Sequence, residues 1–386
     1  MHGLVSCFME LGYQVTIVPV ALRRAGLDEM TAYWQDQNVT VKIFPTLLKR
    51  KEPTGKLDFL RRAIFPRETD YYHVDEVESS GFARFVAKSK FSAVVSYNWC
   101  GLGVIAGLDH PARFASLVDP LEDSMAMVRA ESGFALNRKQ LKKWLAYHAL
   151  RAKPVAANRY LSKMSCIIEH AHQHAEEYRQ RGFENVCYLP HPLPCREPLQ
   201  AMPDNGKVNV LILGSLKGLA SRRGYAFFLD EILPRLESRL DEMEIPPEFR
   251  IVGHGQMPDE LRDRLEANAL CNFIGFVDEV EPEFARADIM LVNVPVAHGF
   301  RTRIAEAFSY GKCVMAHAAN AVGMPEIQDE VNALTATDPD EYVDKLVRAI
   351  CEPELRARLG ECARKHFESH ISKDAAVAKL RGLLQG

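Results

Sequence analysis

The sequence predicts an α/β chain of two Rossmann-like, doubly wound domains facing a cleft. Three observations carry that expectation. Short apolar runs bounded by glycine, proline or aspartate, such as 208–213 (VNVLIL) and 288–296 (DIMLVNVPV), read as parallel strands buried on both faces. Segments with apolar residues at i, i+3 and i+4 alternate with those runs and read as the crossover helices. A chain of 386 residues with 47% apolar side chains can also fill two cores. Pro190, Pro192, Pro194 and Pro198, followed by Pro203-Asp204-Asn205-Gly206, mark the break between them.

Composition narrows the function classes. Lys and Arg total 48 against 51 Asp and Glu, so no overall charge calls for nucleic acid. Nine cysteines with no C-x-x-C pair read as reduced thiols rather than a disulfide framework. No run approaches the roughly 20 apolar residues of a membrane span, and no leader pattern stands at the start. The expected location is the cytoplasm.

In chain order, 4–11 reads as a helix ended by Gly12, then 14–20 (QVTIVPV) and 39–44 as strands. Residues 75–88 read as a helix with Val77, Phe82 and Phe85 inward, and 91–97 and 113–118 as buried strands. Those two strands run out into Asn98-Trp99 and Asp119, which are candidate ligand contacts; the plainer use of Asp119 is a turn or cap. Residues 138–153, from Arg138 to Lys153, form a basic segment over an apolar stripe of Leu141, Trp144, Leu145 and Leu150. It suits either a solvated face or peripheral contact with an anionic inner membrane face. After the strand 165–169, His170, His172 and His174 alternate, but no third convincing ligand accompanies them, and a solvated or capping role is expected rather than metal.

The second half opens with the strand 208–213, stopped by Gly214-Ser215. Lys217, Arg222 and Arg223 then lie ahead of a helix that runs through Phe228 and Ile232 to Pro234, and cations between a strand end and a helix suit phosphate. Strands follow at 249–255, closing on Gly253, and at 272–277. The run 288–296 then leads into AHGFRTRIAEAFSYGKCVMAHA. There Ile304, Ala307 and Phe308 mark the buried stripe of a helix from about Thr302 to Gly311. Arg303 in its first turn is opposed by the helix dipole, so either an anion or solvent must accompany Arg301 and Arg303. Glu306 then accepts hydrogen bonds from a ligand, or pairs with Arg303 on an ordinary surface. Asp338-Pro339-Asp340 has a metal-binding D-x-D spacing, but Pro339 at N1 and Glu341 at N3 make it a helix cap. The last helix is expected over 373–384.

The stretch Gly299-Phe300-Arg301-Thr302-Arg303-Ile304-Ala305-Glu306-Ala307-Phe308, with Gly311-Lys312-Cys313-Val314, resembles the donor-site signature of family 4 glycosyltransferases of the GT-B fold. The likeness extends over nearly the whole chain and is strongest over 208–327. Arg303 stands where lysine is usual, Cys313 where proline is usual, and His298 where many members carry the first glutamate of an E-x7-E pair. The family also begins with a strand and a glycine-rich loop ahead of the first helix. Their absence here points to a shortened chain or misplaced start, the alternative being a rebuilt acceptor side.

The resemblance implies an acceptor-side domain over 1–195, a nucleotide-sugar domain over 196–365 and a last helix, 366–386, crossing back to the first domain. It implies transfer from a nucleotide-sugar, with UDP or GDP expected, with retention of configuration and no tightly bound metal or other cofactor. Arg223 and Arg303 would then hold the diphosphate, Glu306 the ribose, and Phe276 and Val277 would lie near the base. Gly214, Ser215, Gly253, His298, Gly299, Phe300 and Arg301 would line the donor site. Asn98, Trp99 and Asp119 would meet a glycan, lipid-linked or small-molecule acceptor. The competing class is a non-catalytic GT-B protein that keeps the donor pocket or merely the fold and, binding a nucleotide or a glycan, serves as a partner subunit.

Overall fold

The computed structural model describes residues 2–385 apart from 22–25, 50–51, 66, 121–151, 198, 201, 203–204 and 217. The chain divides into two compact units, Met1–Leu189 and Pro190–Gly386. The proline-rich segment and the last helix, Lys373–Gln385, both group with the second unit.

The first unit carries a parallel sheet of β3 (Val94–Tyr97), β4 (Arg113–Leu117), β5 (Cys166–Glu169) and β6 (Val186–Tyr188), in that order. A separate parallel pair, β1 (Thr16–Ile17) and β2 (Thr40–Val41), packs with the helices His2–Glu10 and Leu27–Asp36 around Val5, Trp34 and Val39. These two strands are much shorter than the sequence expects, and they pair only with each other among the described residues. Pro19, which has no N–H to offer a ladder, follows soon after β1. The helix expected over 75–88 is confined to Phe82–Ser89. Gly81 takes φ 76°, and Ser80 Oγ accepts from the Phe82 N–H at 3.2 Å, so turn chemistry starts the helix late. The basic segment from Arg138 lies outside the described residues up to position 151.

The second unit is the doubly wound sheet in full form. Its strands are β7 (Val208–Leu213), β8 (Pro247–Val252), β9 (Cys271–Gly275), β10 (Ile289–Val292), β11 (Cys313–His317) and β12 (Leu334–Ala336). All pair in parallel, in the order β12-β11-β10-β7-β8-β9. Alternation decides the packing. Val210, Ile212, Ile289, Leu291 and Met315 join a core with Phe228 and Tyr342, while Leu211, Met290, Val292, Val314 and Ala316 face Ile304, Phe308 and Phe367. Both faces are therefore covered by helices, which is why the strands read as continuous apolar runs.

Two boundaries differ from expectation. Pro234 does not end its helix: Leu219–Phe227, a π turn over Phe228–Ile232 and Leu233–Glu237 run on as one element. The π turn shifts the backbone pairing just ahead of Pro234, where a missing N–H is tolerated in a new first turn. β10 stops at Val292 rather than running to Val296. At the other end of the site, the helix Thr302–Ser309 closes as the glycine predicts. Gly311 takes φ 65°, its N–H reaches Phe308 O at 3.0 Å, and Lys312 N–H reaches Ala307 O at 3.0 Å. These are the two bonds of a Schellman turn. Asp338 caps the helix Pro339–Cys351 by accepting from Asp340 and Glu341 N–H, and the Glu341 carboxylate goes to Lys345 at 2.9 Å.

Candidate functional site

β7 and β10 are neighbours from which the chain winds outward in opposite directions, so their carboxyl ends form the topological switch point of the second unit. Four features of the local sequence converge there. Gly214 follows β7 at φ 154°, and a Cβ on it would lie 2.5 Å from Arg303 Nη1. Gly253 follows β8, and its Cβ would lie 1.8 Å from Gly214 O. The two glycines thus bring two strand ends together and leave a slot that the Arg303 side chain fills. Arg303 crosses from the start of the helix Thr302–Ser309 and donates from Nη1 to Leu213 O at 2.8 Å.

That guanidinium is desolvated. Burial pushes its pKa below the usual value, with only Tyr225 nearby acting the other way, and burial in turn pushes Tyr225 up to about 12. An arginine keeps its proton even so. Among the described residues Arg303 forms no ion pair with a carboxylate, and the surface pairing with Glu306 that the spacing allowed is not made. A half-buried cation held against the Leu213 carbonyl carries a desolvation cost that an anion completing the site would offset.

Glu306 points elsewhere. It is half-buried, and burial first, then Glu281, raise its carboxyl above the usual range while Arg196 holds it down. Arg196 Nη2 lies 3.9 Å from Glu306 Oε1, and Arg196 Nη1 lies 3.5 Å from Glu281 Oε1. The Tyr310 hydroxyl donates to Glu281 at 3.4 Å, and the Arg196 guanidinium lies 6.0 Å from the Tyr310 ring. Arg196 is in turn fixed by Arg364, which donates to its carbonyl at 2.7 Å. Sequence reasoning missed Arg196, which sits in the proline-rich segment with no motif around it.

The remaining donor-side residues fall into three groups. Arg301 donates to Asn320 Oδ1 at 2.6 Å and Val296 O at 2.7 Å, so it braces the loop between β10 and the helix. Asn320 ties that loop to the end of β11, donating to Val294 O at 3.3 Å and to His317 O at 2.6 Å; nothing in its sequence context marks it. Gly299 is buried, and a Cβ on Gly323 would lie 2.2 Å from its carbonyl. Phe300 and Val277 pack partly against the apolar cluster, and Phe300 meets His191 edge-on at 5.6 Å. Ser215 and His298 are half-buried, whereas Phe276 is 68% exposed and Arg223 is exposed, with no ion pair among the described residues. Cys313 begins β11 inside the core, and burial pushes its thiol up to about 12, which makes it an unreactive packing residue.

The candidates of the first unit also come together. Asn98, at φ 67°, accepts the Trp99 N–H at 2.6 Å, and the Trp99 ring N–H donates to Asp119 O at 3.1 Å. Trp99 is only 4% exposed, while Asp119 is exposed. His170 is spent on structure, with Nε2 2.9 Å from Ser116 Oγ and Nδ1 2.7 Å from Leu189 O. No group of three or more His, Cys, Asp or Glu among the described residues is placed to hold a metal ion.

Residues 207–352 match a family described as glycosyl transferases group 1. No curated protein matches the chain. Among solved structures, HepE of Anabaena in complex with UDP is similar at a TM-score of 0.63 and 14% identity, covering 99% of this chain and 95% of that one. Sucrose-phosphate synthase of Thermosynechococcus elongatus is similar at 0.62 and 14%, covering 98% and 90%. TarM is similar at 0.58 and 11%, covering 79% of this chain, which spans 57% of TarM's length.

Proposed function

We propose that this chain, a GT-B fold protein whose residues 207–352 are those of a group 1 glycosyl transferase, moves a sugar from a nucleotide-sugar to an acceptor. The observation that carries the reading is the half-buried guanidinium of Arg303 at the switch point, with no carboxylate paired to it among the described residues. A diphosphate supplies the missing charge. In the proposed reaction the glycosidic bond to the diphosphate breaks and the anomeric carbon bonds to the acceptor oxygen on the same face. The acceptor proton passes to the departing phosphate oxygen. Arg303, with Arg223 as the second cation, stabilises the charge that develops on the diphosphate, which is electrostatic catalysis needing neither a dedicated protein base nor a tightly bound metal.

Glu306, with Arg196 3.9 Å from its carboxylate, accepts from the ribose hydroxyls, and the exposed ring of Phe276 offers a face for the base. UDP is the favoured nucleotide because HepE, of the same fold, was crystallised with it. The acceptor, a glycan, a lipid-linked sugar or a small molecule, is assigned to the first unit at Asn98 and Asp119, with Trp99 buried behind them as a brace. His298, at a position where the resembling family often carries a glutamate, favours a second reading: a protein that binds the nucleotide-sugar without turning it over.

A thermal-shift panel with UDP, GDP, dTDP and ADP tests the nucleotide. A ligand at 100 times its Kd adds about 2.7 kcal/mol. The expected result is a rise with UDP that Glu306→Ala cuts to about half or less, its affinity falling about ten- to a hundredfold. No rise with any nucleotide would overturn the proposal. Slow hydrolysis of the matching nucleotide-sugar then separates the enzyme from the binding protein.

A further inference from the structure

The helix Lys56–Ile64 of the first unit is built inside out. Its inward side carries a buried arginine, Arg62, beside Ala63. Arg62, 8% exposed, donates to Asp58 at 3.0 Å, to Asp70 O at 2.9 Å and to Glu52 O at 3.1 Å. Arg61 bridges Asp58 at 2.8 Å and Asp70, and the two guanidiniums hold the Asp58 carboxyl down at about 2. Its outward side is apolar. Leu57, Leu60 and Ile64 recur at i, i+3 and i+7, so they share one face, and Phe65 follows at the helix end. Leu57 is 84% exposed, Ile64 55% and Phe65 70%. A solvent-facing helix ordinarily shows the reverse arrangement, and a contiguous exposed apolar face rimmed by polar residues marks an interaction surface.

Charge identifies the partner. Residues 49–70 hold seven Lys and Arg against four Asp and Glu, in a chain whose net charge is −3. Asp58 and Asp70 pair with Arg61 and Arg62 in the inward network, which leaves five Lys and Arg against two Glu. Lys49 and Lys56 are exposed and form no ion pair among the described residues. We infer that this face docks on an anionic lipid surface, Leu57, Leu60, Ile64 and Phe65 entering the headgroup boundary while the flanking lysines meet the lipid phosphates. Among the described residues no helix is long and apolar enough to cross a membrane, so the contact is interfacial. The inference does not rest on the donor reading.

The test is sedimentation of the full chain with vesicles of phosphatidylcholine alone or mixed with phosphatidylglycerol. Binding is expected to the mixed vesicles, to weaken with added salt, and to fall about tenfold or more in Leu57→Ser/Ile64→Ser/Phe65→Ser. Lys49→Glu/Lys56→Glu should lose the preference for the mixed vesicles. These side chains are exposed, so unchanged thermal unfolding certifies the fold of each variant. Absence of binding to either vesicle overturns the inference, as does binding that the triple variant leaves intact. Light scattering provides a further arm: a wild-type dimer made monomeric by the triple variant would make the face a contact between copies and overturn the lipid assignment.

Discussion

Arg303 and Glu306 stand three residues apart on one helix, yet the structure gives them different environments and therefore different chemistry. Arg303 is half-buried against Leu213 O, so an anion there is screened less by water than at the open surface. Arg303→Met should weaken UDP binding by about a hundredfold, while Arg303→Lys, which keeps the charge and loses the fork, should retain part of it; calorimetric titration reads both. Glu306 carries a testable pH signature. Its carboxyl is raised by burial, and in the proposed role it would accept ribose hydroxyls best when ionised, so affinity should fall as pH drops through a value above the ordinary carboxylate range. Arg196 is the cation holding that value down, so Arg196→Ala should move the acid limb to higher pH, and Glu306→Gln should abolish it. A UDP titration whose pH profile is the same in all three proteins would remove Glu306 from the site. The group's effect on stability has the opposite sign: with the folded pKa raised, the protonated form favours the fold, and that contribution is lost as pH rises.

At the scale of elements, the second unit was largely legible because its strands are buried on both faces and its turns are set by glycines that no other residue replaces. β7, β8 and the helix Thr302–Ser309 follow from apolar runs and from Gly311. The late start of Phe82–Ser89 was not legible, because the apolar spacing continues through Ser80-Gly81, where a side-chain hydrogen bond and a positive φ prevail. Arg196 and Asn320 escaped for a different reason. Their partners are distant in sequence, and one arginine in a proline-rich stretch looks like any other. The same logic predicts which glycines tolerate change. Gly253→Ala forces a Cβ to 1.8 Å from Gly214 O and should destabilise by about 1–3 kcal/mol, with loss of nucleotide binding because the Arg303 slot is deformed. Gly382→Ala, within the last helix and with nothing within 4 Å, should stabilise by about 0.5–1 kcal/mol. Thermal unfolding of the two variants checks both, and equal effects would deny that strand-end contact sets the difference.

For the whole molecule, each unit has its own core, and each offers an independent handle. In the first unit Glu169 ends β5 fully buried, and burial, reinforced by Asp119, raises its carboxyl well above the usual range. The unfolded chain releases this proton at a lower pH than the folded one. Between those two values the folded state therefore binds more protons, and stability falls as pH rises. Glu169→Gln removes the ionisable group, so it should raise the unfolding temperature at neutral pH and give no such gain near pH 4, below both values. In the second unit UDP is the handle, through linkage to the native state. Because the two cores are separate, hydrogen exchange should show the Glu169→Gln gain as slower exchange in 2–189 and the UDP gain as slower exchange in 190–385, with the two effects additive when combined. If UDP protected both units equally, or if its gain vanished in Glu169→Gln, the units would open as one cooperative body, and ligand bound to the second would govern the stability of the first.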